Sequence, residues 1–172
     1  MQLQDKVAVV TGAASGLGLG SCRALAAAGA RIVGLDRDAT RLAALREALG
    51  EQVMTAVVDV ADEASVKAGI DEAVAAFGAV HVAVNCAGVA DSAKTVSKGE
   101  PFPLATWNKV IAVNLTGTFN VICFAAVAMM RNTPGGETGE RGVIINTSSG
   151  AAWQGQVGQA AYAASKAGVM GL

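Results

Sequence analysis

Short apolar runs alternate along the chain with longer segments rich in alanine and leucine. The runs at residues 7–10 and 143–145 are apolar at successive positions rather than at every second one. Continuous apolar runs of this length are typical of strands that are buried on both faces of a parallel sheet. The pattern therefore predicts five strands, at residues 6–11, 31–36, 52–59, 80–85 and 142–147.

The alanine- and leucine-rich segments predict the helices between these strands, at residues 16–29, 39–49, 63–77, 104–131 and 160 onward. Gly29, Gly50 and Gly78 stand where helices commonly end. Strand and helix alternate in the order βαβαβ, which is typical of an α/β fold. We therefore predict a doubly wound parallel sheet of the Rossmann type, with helices on both faces.

Length and composition suit one globular domain, since 52% of the 172 residues are hydrophobic and 16% are charged. We predict a single domain over residues 1–172. The sequence stops at Leu172, inside the last predicted helix, with no capping residue and no following strand. We therefore expect a truncated domain that lacks its C-terminal strands.

The charge balance and the cysteines narrow the class of function. A net charge of -1 offers no basic patch for a phosphate backbone, so we expect a small-molecule substrate and no nucleic acid. Cys22, Cys86 and Cys123 form no CxxC pair, so neither a disulfide framework nor a zinc site is predicted. His81 is the one histidine, and we interpret it as a strand-edge residue and predict no metal.

Targeting and membrane signals are weak. The first residues lack the basic region, the long apolar region and the cleavage site of a secretory signal. The longest apolar run, residues 121–130, is shorter than the roughly 20 residues that span a bilayer, and it is interpreted as part of a buried helix. We expect a cytoplasmic protein with no membrane partner.

A glycine-rich turn, TGAASGLG at residues 11–18, follows the first predicted strand and opens a helix. Glycines let a backbone approach a pyrophosphate, and free N–H groups at a helix start attract its charge. Asp36 ends the second predicted strand, 18 residues beyond Gly18. An acidic residue at about this interval accepts hydrogen bonds from an adenosine ribose. Tight packing of the turn is an alternative explanation of the glycines, and Asp36 taken alone would be interpreted as a solvated acid at a strand end.

The chain resembles the short-chain dehydrogenase/reductase family along its whole length. Each of its five motifs is common alone, but the five in this order are specific. They are TGxxxGxG at residues 11–18, Asn-x-Ala-Gly at Asn85, Ala87 and Gly88, Asn114, Ser149, and Tyr-x-x-x-Lys at Tyr162 and Lys166.

The resemblance implies a nicotinamide dinucleotide and the residues that bind it. NAD is favoured, because a carboxylate at Asp36 accepts hydrogen bonds from ribose hydroxyls and repels the extra phosphate of NADP. Arg37 follows directly and offers a phosphate partner, which weakens that preference. By resemblance the Asp59 side chain meets the adenine, and a helix cap before Ala61 is its alternative interpretation. The implied cofactor-binding residues are Gly12, Ser15, Gly16, Leu17, Gly18, Asp36, Asp59, Val60, Asn85, Ala87, Gly88, Tyr162 and Lys166.

The implied catalytic residues are Tyr162, Lys166, Ser149 and Asn114. Tyr162 and Lys166 are four apart, so on a helix they share one face, and a nearby ammonium favours the phenolate form of a tyrosine. By resemblance, Tyr162 is the acid/base, Lys166 also binds the nicotinamide ribose, Ser149 hydrogen-bonds the substrate oxygen and Asn114 helps to hold a water chain. An interface tyrosine beside a solvated lysine is the alternative. Cys86 is expected to be a small buried hydrophobe.

The expected reaction is hydride transfer between a secondary alcohol or ketone and the nicotinamide. Residues 141–149 and 155–162 resemble a subgroup of the family that acts on 3-hydroxyacyl-CoA thioesters and hydroxysteroids, substrates of lipid metabolism. Ser149, Gln156 and Tyr162 would then face the substrate. Two alternatives remain, an NADPH-dependent 3-oxoacyl-carrier-protein-type reductase and a non-catalytic NAD-binding scaffold.

The predicted helices at residues 104–131 and 160 onward carry more small and apolar residues than one sheet face can cover. Members of the family commonly pair these two helices across a two-fold axis. We therefore expect a homo-oligomer, a tetramer by resemblance.

Overall fold

A five-stranded parallel sheet forms the centre of the computed structural model, which describes residues 2–135 and 137–172. Its strands are β1 (Val7–Thr11), β2 (Arg31–Asp36), β3 (Val53–Val57), β4 (Val82–Asn85) and β7 (Val143–Asn146). A short antiparallel pair, β5 (Val96–Ser97) and β6 (Glu100–Pro101), lies apart from it. The strand order β3-β2-β1-β4-β7 reverses direction between β1 and β4, which confirms the predicted doubly wound fold.

Helices cover both faces of this sheet. They are α1 (Gly16–Ala27), α2 (Ala39–Leu49), α3 (Glu63–Phe77), α4 (Leu104–Ile111), α5 (Gly117–Met129), α6 (Ala151–Gln154) and α7 (Ala160–Gly171). The helices α1 and α2 pack on one face around Val10, Ile32 and Leu45. The helices α3 and α5 pack on the other face around Val9 and Leu35. This double coverage explains why β1, which is buried along its whole length, is apolar at successive positions. In β7, by contrast, Val143 and Ile145 are exposed, so the prediction that this run is buried on both faces of the sheet is wrong.

The helix boundaries follow from local chemistry. The Asp62 side chain accepts a hydrogen bond from the backbone N–H of Ala64 (2.9 Å) and so caps the start of α3. The same helix ends at Gly78, whose φ of 81° is left-handed. Gly50, with a φ of 66°, ends α2 in the predicted place.

The predicted helix at residues 104–131 ends at Met129 and is interrupted by a π-helical segment, Ala112–Thr116. Asn114 lies in this segment and is fully buried, with its side chain bonded to backbone outside the helix. A π segment accommodates one extra residue per turn and often marks a functional site. Sequence periodicity did not detect it, and it also missed α6 and the β5–β6 pair.

The helical stretch Leu104–Met129 is long and apolar enough, by length and composition alone, to cross a membrane. In the structure, Val121, Ala125 and Met129 of this stretch belong to the core beneath the sheet. A core helix passes the same test of length and hydropathy, and we interpret the stretch in that way.

His81 is a structural residue at the start of β4. Its Nδ1 accepts a hydrogen bond from the backbone N–H of Val7 (3.1 Å), so the imidazole joins β1 to β4 only while Nδ1 is unprotonated. Burial, followed by the positive charge of Lys6, lowers the pKa of His81 below its ordinary value of 6.5. Folding therefore favours the neutral ring.

This lowered pKa predicts a pH-dependent stability. As the pH falls below about 6.5, the unfolded chain takes up a proton at His81 before the folded chain does, so the free energy of unfolding decreases. Urea titrations at about pH 7.5 and about pH 5.5 should show this decrease. The variant His81→Asn keeps an acceptor oxygen and does not titrate, so it should show a smaller decrease. An equal decrease in both proteins would contradict the assignment.

Candidate functional site

A cleft of about 370 Å³ opens at the carboxyl ends of the strands, where the strand order reverses between β1 and β4. Ligands of doubly wound folds bind at this point. Ten predicted cofactor residues line it: Gly12, Ser15, Gly16, Leu17, Gly18, Asp36, Asp59, Val60, Ala87 and Gly88. Sequence reasoning did not assign six further wall residues to the cofactor site: Leu35, Arg37, Val58, Cys86, Val89 and Val113.

The glycine-rich turn is held by contacts that leave no room for side chains. Gly12 has a φ of +65°, and a Cβ there would lie 2.9 Å from the backbone nitrogen of Ala87. A Cβ on Gly18 would collide with the carbonyl group of Gly12. Both positions therefore require glycine, since the atoms in the way belong to backbone. The turn packs directly against the loop that follows β4.

The start of α1 lines this cleft with residues 15–18. Ser15 is the N-cap residue, yet its side chain makes no capping hydrogen bond. The first N–H groups of a helix then remain available, and they favour an anion. The glycine cradle and these donors fit the pyrophosphate of a dinucleotide.

Asp36 connects the end of β2 to the glycine-rich turn. Its carboxylate accepts hydrogen bonds from the backbone N–H groups of Ala14 (3.0 Å) and Asp38 (3.0 Å). Each carboxylate oxygen has a second lone pair, so both remain able to accept from a ligand hydroxyl. Arg37 also lines the cleft. The wall therefore presents both an acid and a guanidinium.

Asp59 both lines the cleft and stabilises its own turn. Its Oδ1 accepts a hydrogen bond from the backbone N–H of Ala61 (3.0 Å). The cap of α3 is Asp62 rather than Asp59, so the helix-cap alternative for Asp59 does not hold. Val60 is held beside it, because Asn120 Nδ2 donates to the Val60 carbonyl oxygen (3.0 Å).

The loop after β4 is pinned to β1. Thr11 Oγ1 accepts hydrogen bonds from the backbone N–H groups of Cys86 and Ala87, each at 3.2 Å. Cys86 is half-buried and lines the cleft, which corrects its interpretation as a small buried hydrophobe. The carboxyl end of β4 brings it there, since the chain leaves the sheet at this residue.

Asn85 lies beneath the cleft rather than on its wall. It is buried, and its Nδ2 donates to Asn146 Oδ1 on the neighbouring strand (2.8 Å). Among the residues that the structure describes, Asn85 Oδ1 has no hydrogen-bond partner. The predicted direct contact of Asn85 with a cofactor is therefore corrected, because its register in the sheet directs the side chain to Asn146.

Tyr162 and Lys166 lie one turn apart on α7, as the spacing predicts. The Lys166 ammonium is 5.8 Å from the centre of the Tyr162 ring and donates to the Thr147 carbonyl oxygen (2.7 Å). Burial lowers the pKa of Lys166, whose residue is only 5% exposed. The interface-tyrosine alternative required a solvated lysine, and this lysine is buried.

Gly88 lies between the cleft and the Tyr162–Lys166 pair. It lines the cleft, and a Cβ on it would lie 3.3 Å from Asn114 Oδ1 and 3.8 Å from Lys166 Nζ. Lys166 is therefore a neighbour of the cleft wall, although Gly88 and Lys166 belong to different parts of the fold.

Ser149 and Gln156 bracket α6. Ser149 is half-buried beyond the end of β7, and its Oγ accepts a hydrogen bond from the backbone N–H of Ala151 (3.2 Å). Gln156 is exposed in the segment between α6 and α7. Trp153 and Val157 are exposed in the same region. This segment lies in sequence between Ser149 and Tyr162, so it borders the region where a substrate would sit.

The Asn114 side chain bonds to the loop after β4 and to α7. Its Oδ1 accepts from the backbone N–H of Val89 (2.8 Å), and its Nδ2 donates to the Val89 carbonyl oxygen (2.9 Å) and to Ser165 Oγ (3.1 Å). Its two N–H donors are thus both satisfied. A part in a water chain would fall to its backbone carbonyl, which also accepts from Thr118 Oγ1 (2.8 Å).

The described ranges, 2–135 and 137–172, contain no group of three or more histidine, cysteine, aspartate or glutamate side chains that could hold a metal ion.

Comparison with known proteins places this geometry in a family. The family model described as short chain dehydrogenase matches residues 6–172. The 3-hydroxyacyl-CoA dehydrogenase type-2 of Homo sapiens is 48% identical over 168 residues, which cover 96% of this chain and 64% of that protein. The 3-oxoacyl-[acyl-carrier-protein] reductase of Thermotoga maritima is 35% identical over 175 residues, which cover 100% of this chain and 67% of that protein.

A solved structure agrees with the sequence comparisons. The crystal structure of 3-hydroxyacyl-CoA dehydrogenase type-2 from Mycobacterium avium superimposes with a TM-score of 0.92 at 35% identity, covering 99% of this chain and 68% of that one. The chain thus spans about two thirds of the length of the relatives that it matches.

Proposed function

Because the chain belongs to the short-chain dehydrogenase family, we propose that it acts as an oxidoreductase on a secondary alcohol or its ketone. The carrying observation is the position of Gly88, which lines the cleft and lies beside Lys166. A dinucleotide held in the cleft would thereby reach the Tyr162–Lys166 pair. The nicotinamide cofactor would supply or accept the hydride at the substrate carbon.

The residues of the chain would move the proton. In oxidation Tyr162 accepts the proton of the substrate hydroxyl, and in reduction it returns that proton to the developing alkoxide. Ser149 Oγ hydrogen-bonds the substrate oxygen as charge develops there. Lys166 orients the ribose hydroxyls of the cofactor and supplies a positive charge next to Tyr162.

The burial of Lys166 supports this role for the pair. Its ammonium is bonded to the Thr147 carbonyl oxygen, and no carboxylate is paired with it among the described residues. A buried cation without a counter-ion favours a negative charge nearby. The phenolate of Tyr162 would provide that charge during turnover.

We propose 3-hydroxyacyl-CoA thioesters or hydroxysteroids as substrates. The names of the human and Mycobacterium avium relatives support the acyl-CoA class. The exposed Trp153 and Val157 provide apolar surface between Ser149 and Tyr162, which suits an acyl chain or a steroid. We propose NAD as the cofactor, because the Asp36 carboxylate would accept hydrogen bonds from the ribose hydroxyls and would repel the extra phosphate of NADP. An NADPH-dependent 3-oxoacyl-carrier-protein-type reductase is the second candidate, because the Arg37 guanidinium also lines the cleft and could pair with the extra phosphate.

Steady-state assays of the protein would test this function. With NAD, the rate of NADH formation should depend on the presence of a 3-hydroxyacyl-CoA substrate. This rate should exceed the rate of NADPH formation measured with NADP. Faster turnover with NADPH and a 3-oxoacyl substrate would favour the second candidate. Dinucleotide binding without turnover of any of these substrates would favour the non-catalytic scaffold.

Replacement of the Tyr162 hydroxyl should remove turnover. The variant Tyr162→Phe keeps the ring and deletes the proton-transferring group, so the rate should fall about 10²- to 10⁴-fold. Dinucleotide binding, followed by fluorescence, should stay near the wild-type value and serves as the control for folding. Retention of more than about a tenth of the rate would contradict the assignment.

Removal of the Asp36 charge should change cofactor preference. Asp36→Asn keeps one acceptor oxygen for the turn and removes the repulsion of a phosphate, so the NAD-to-NADP ratio should fall about 10-fold, equivalent to about 1.4 kcal/mol. The matched control is Asp38→Asn. Asp38 lies two residues after Asp36 and its side chain caps α2, so this variant removes a nearby charge without touching the proposed ribose contact. An unchanged ratio in Asp36→Asn would refute the proposed ribose contact.

We propose that the protein is a homotetramer in the cytoplasm. Three apolar side chains are exposed on one side of α5 and its C-terminal end, namely Phe119, Val127 and Met130. An exposed apolar stripe of this kind suits an interface between paired helices. The three cysteines are unpaired, as is usual in a reducing compartment.

Light scattering at micromolar concentration should therefore give the mass of four chains. Val127→Glu places a charge in the proposed interface and should lower that mass, whereas Val57→Glu, an exposed position on β3, should not. A monomeric wild-type protein would contradict the oligomer.

A further inference from the structure

Ser165 is a buried hydroxyl between the two catalytic residues of α7. It is 0% exposed, and its Oγ donates to the Tyr162 carbonyl oxygen at 2.7 Å. The same oxygen accepts a hydrogen bond from Asn114 Nδ2 at 3.1 Å. Ser165 has one hydroxyl proton and donates it to the Tyr162 carbonyl oxygen, so its Oγ can only accept from Asn114. The direction of both hydrogen bonds is therefore fixed.

Asn114 extends this connection to the cleft. Its Oδ1 and Nδ2 bond to the backbone N–H and carbonyl oxygen of Val89, at 2.8 and 2.9 Å. Val89 lines the cleft and belongs to the loop that is pinned to β1. An unbroken series of hydrogen bonds thus runs from Val89 through Asn114 and Ser165 to the backbone of Tyr162.

The bond from Ser165 to Tyr162 is local to the helix, but the bond from Asn114 is not. A serine hydroxyl commonly bonds to the carbonyl three or four residues earlier, and such a bond alone needs no partner from another element. Here Asn114 comes from the π segment and Val89 from the loop after β4. Because the two central groups, Asn114 and Ser165, are buried, each hydrogen bond restricts the geometry of the next.

We propose that Ser165 is a positioning residue, which couples the cleft loop at Val89 to the first turn of α7 and so sets the position of Tyr162. This inference rests on the proposed function for its catalytic consequence. Its structural content, the coupling of Val89 to Ser165, does not depend on turnover.

Native-state hydrogen exchange of the protein tests the coupling directly. In Ser165→Ala the Asn114 amide loses one acceptor and is free to turn, so the Val89 amide should exchange about 10-fold faster than in the wild type. In assays, kcat should fall about 10-fold while the dissociation constant of NAD stays within about 2-fold, because Tyr162 is displaced and the cleft wall remains.

Two variants serve as controls. Thr118→Val also deletes a buried hydroxyl next to Asn114, but that hydroxyl bonds only to the Asn114 backbone carbonyl, so Val89 exchange should not change. Ser165→Thr keeps the donor and the acceptor and should restore slow exchange at Val89. If Ser165→Ala does not fold, Ser165→Cys, a weak donor of similar size, is judged by the same exchange criterion.

Unchanged Val89 exchange in a folded Ser165→Ala or Ser165→Cys protein would overturn the proposal. An equal acceleration in Thr118→Val would also overturn it, since a general loss of stability would then explain the effect. Absence of turnover in the wild-type protein would instead count against the proposed function and would leave the exchange result to decide the coupling.

Discussion

The two hydrogen bonds between the Asn114 side chain and the Val89 backbone hold together the two halves of the site. Val89 belongs to the cleft, whereas Asn114 packs against the helix that carries Tyr162 and Lys166. A buried amide with unmet donors is costly, so the π segment at Ala112–Thr116 persists because it delivers Asn114 to these partners. Through Asn114 this contact joins the cleft wall at Val89 to Ser165 of α7.

Close backbone packing provides the second constraint. Gly12 and Gly18 allow the first turn to lie against the Ala87 backbone, and Thr11 accepts the N–H groups that follow β4. The side of the cleft at the glycine-rich turn is therefore formed by closely packed backbone. Its selectivity is left to a few side chains, with the Asp36 carboxylate at one end and the buried Lys166 ammonium near the other.

Sequence patterns located most of the elements and most of the cleft. Continuous apolar runs located the parallel strands, but burial on both faces holds for β1 and not for β7, where Val143 and Ile145 are exposed. The glycine turn with Asp36 predicted the cleft wall. Asn85 was misplaced, since the motif that contains it does not show that its side chain turns to Asn146. Cys86 was misjudged for a similar reason, because exposure to a cleft depends on where the chain leaves the sheet.

The sequence by itself determined the fold class, the glycine turn and the Tyr162–Lys166 pair, because each depends on periodicity or spacing within one element. Only the tertiary structure decided which groups from distant elements meet. The π segment, the burial of Lys166 and the series from Val89 to Ser165 join residues that are far apart in sequence. Such contacts depend on the relative placement of whole helices and strands, which local sequence patterns do not predict.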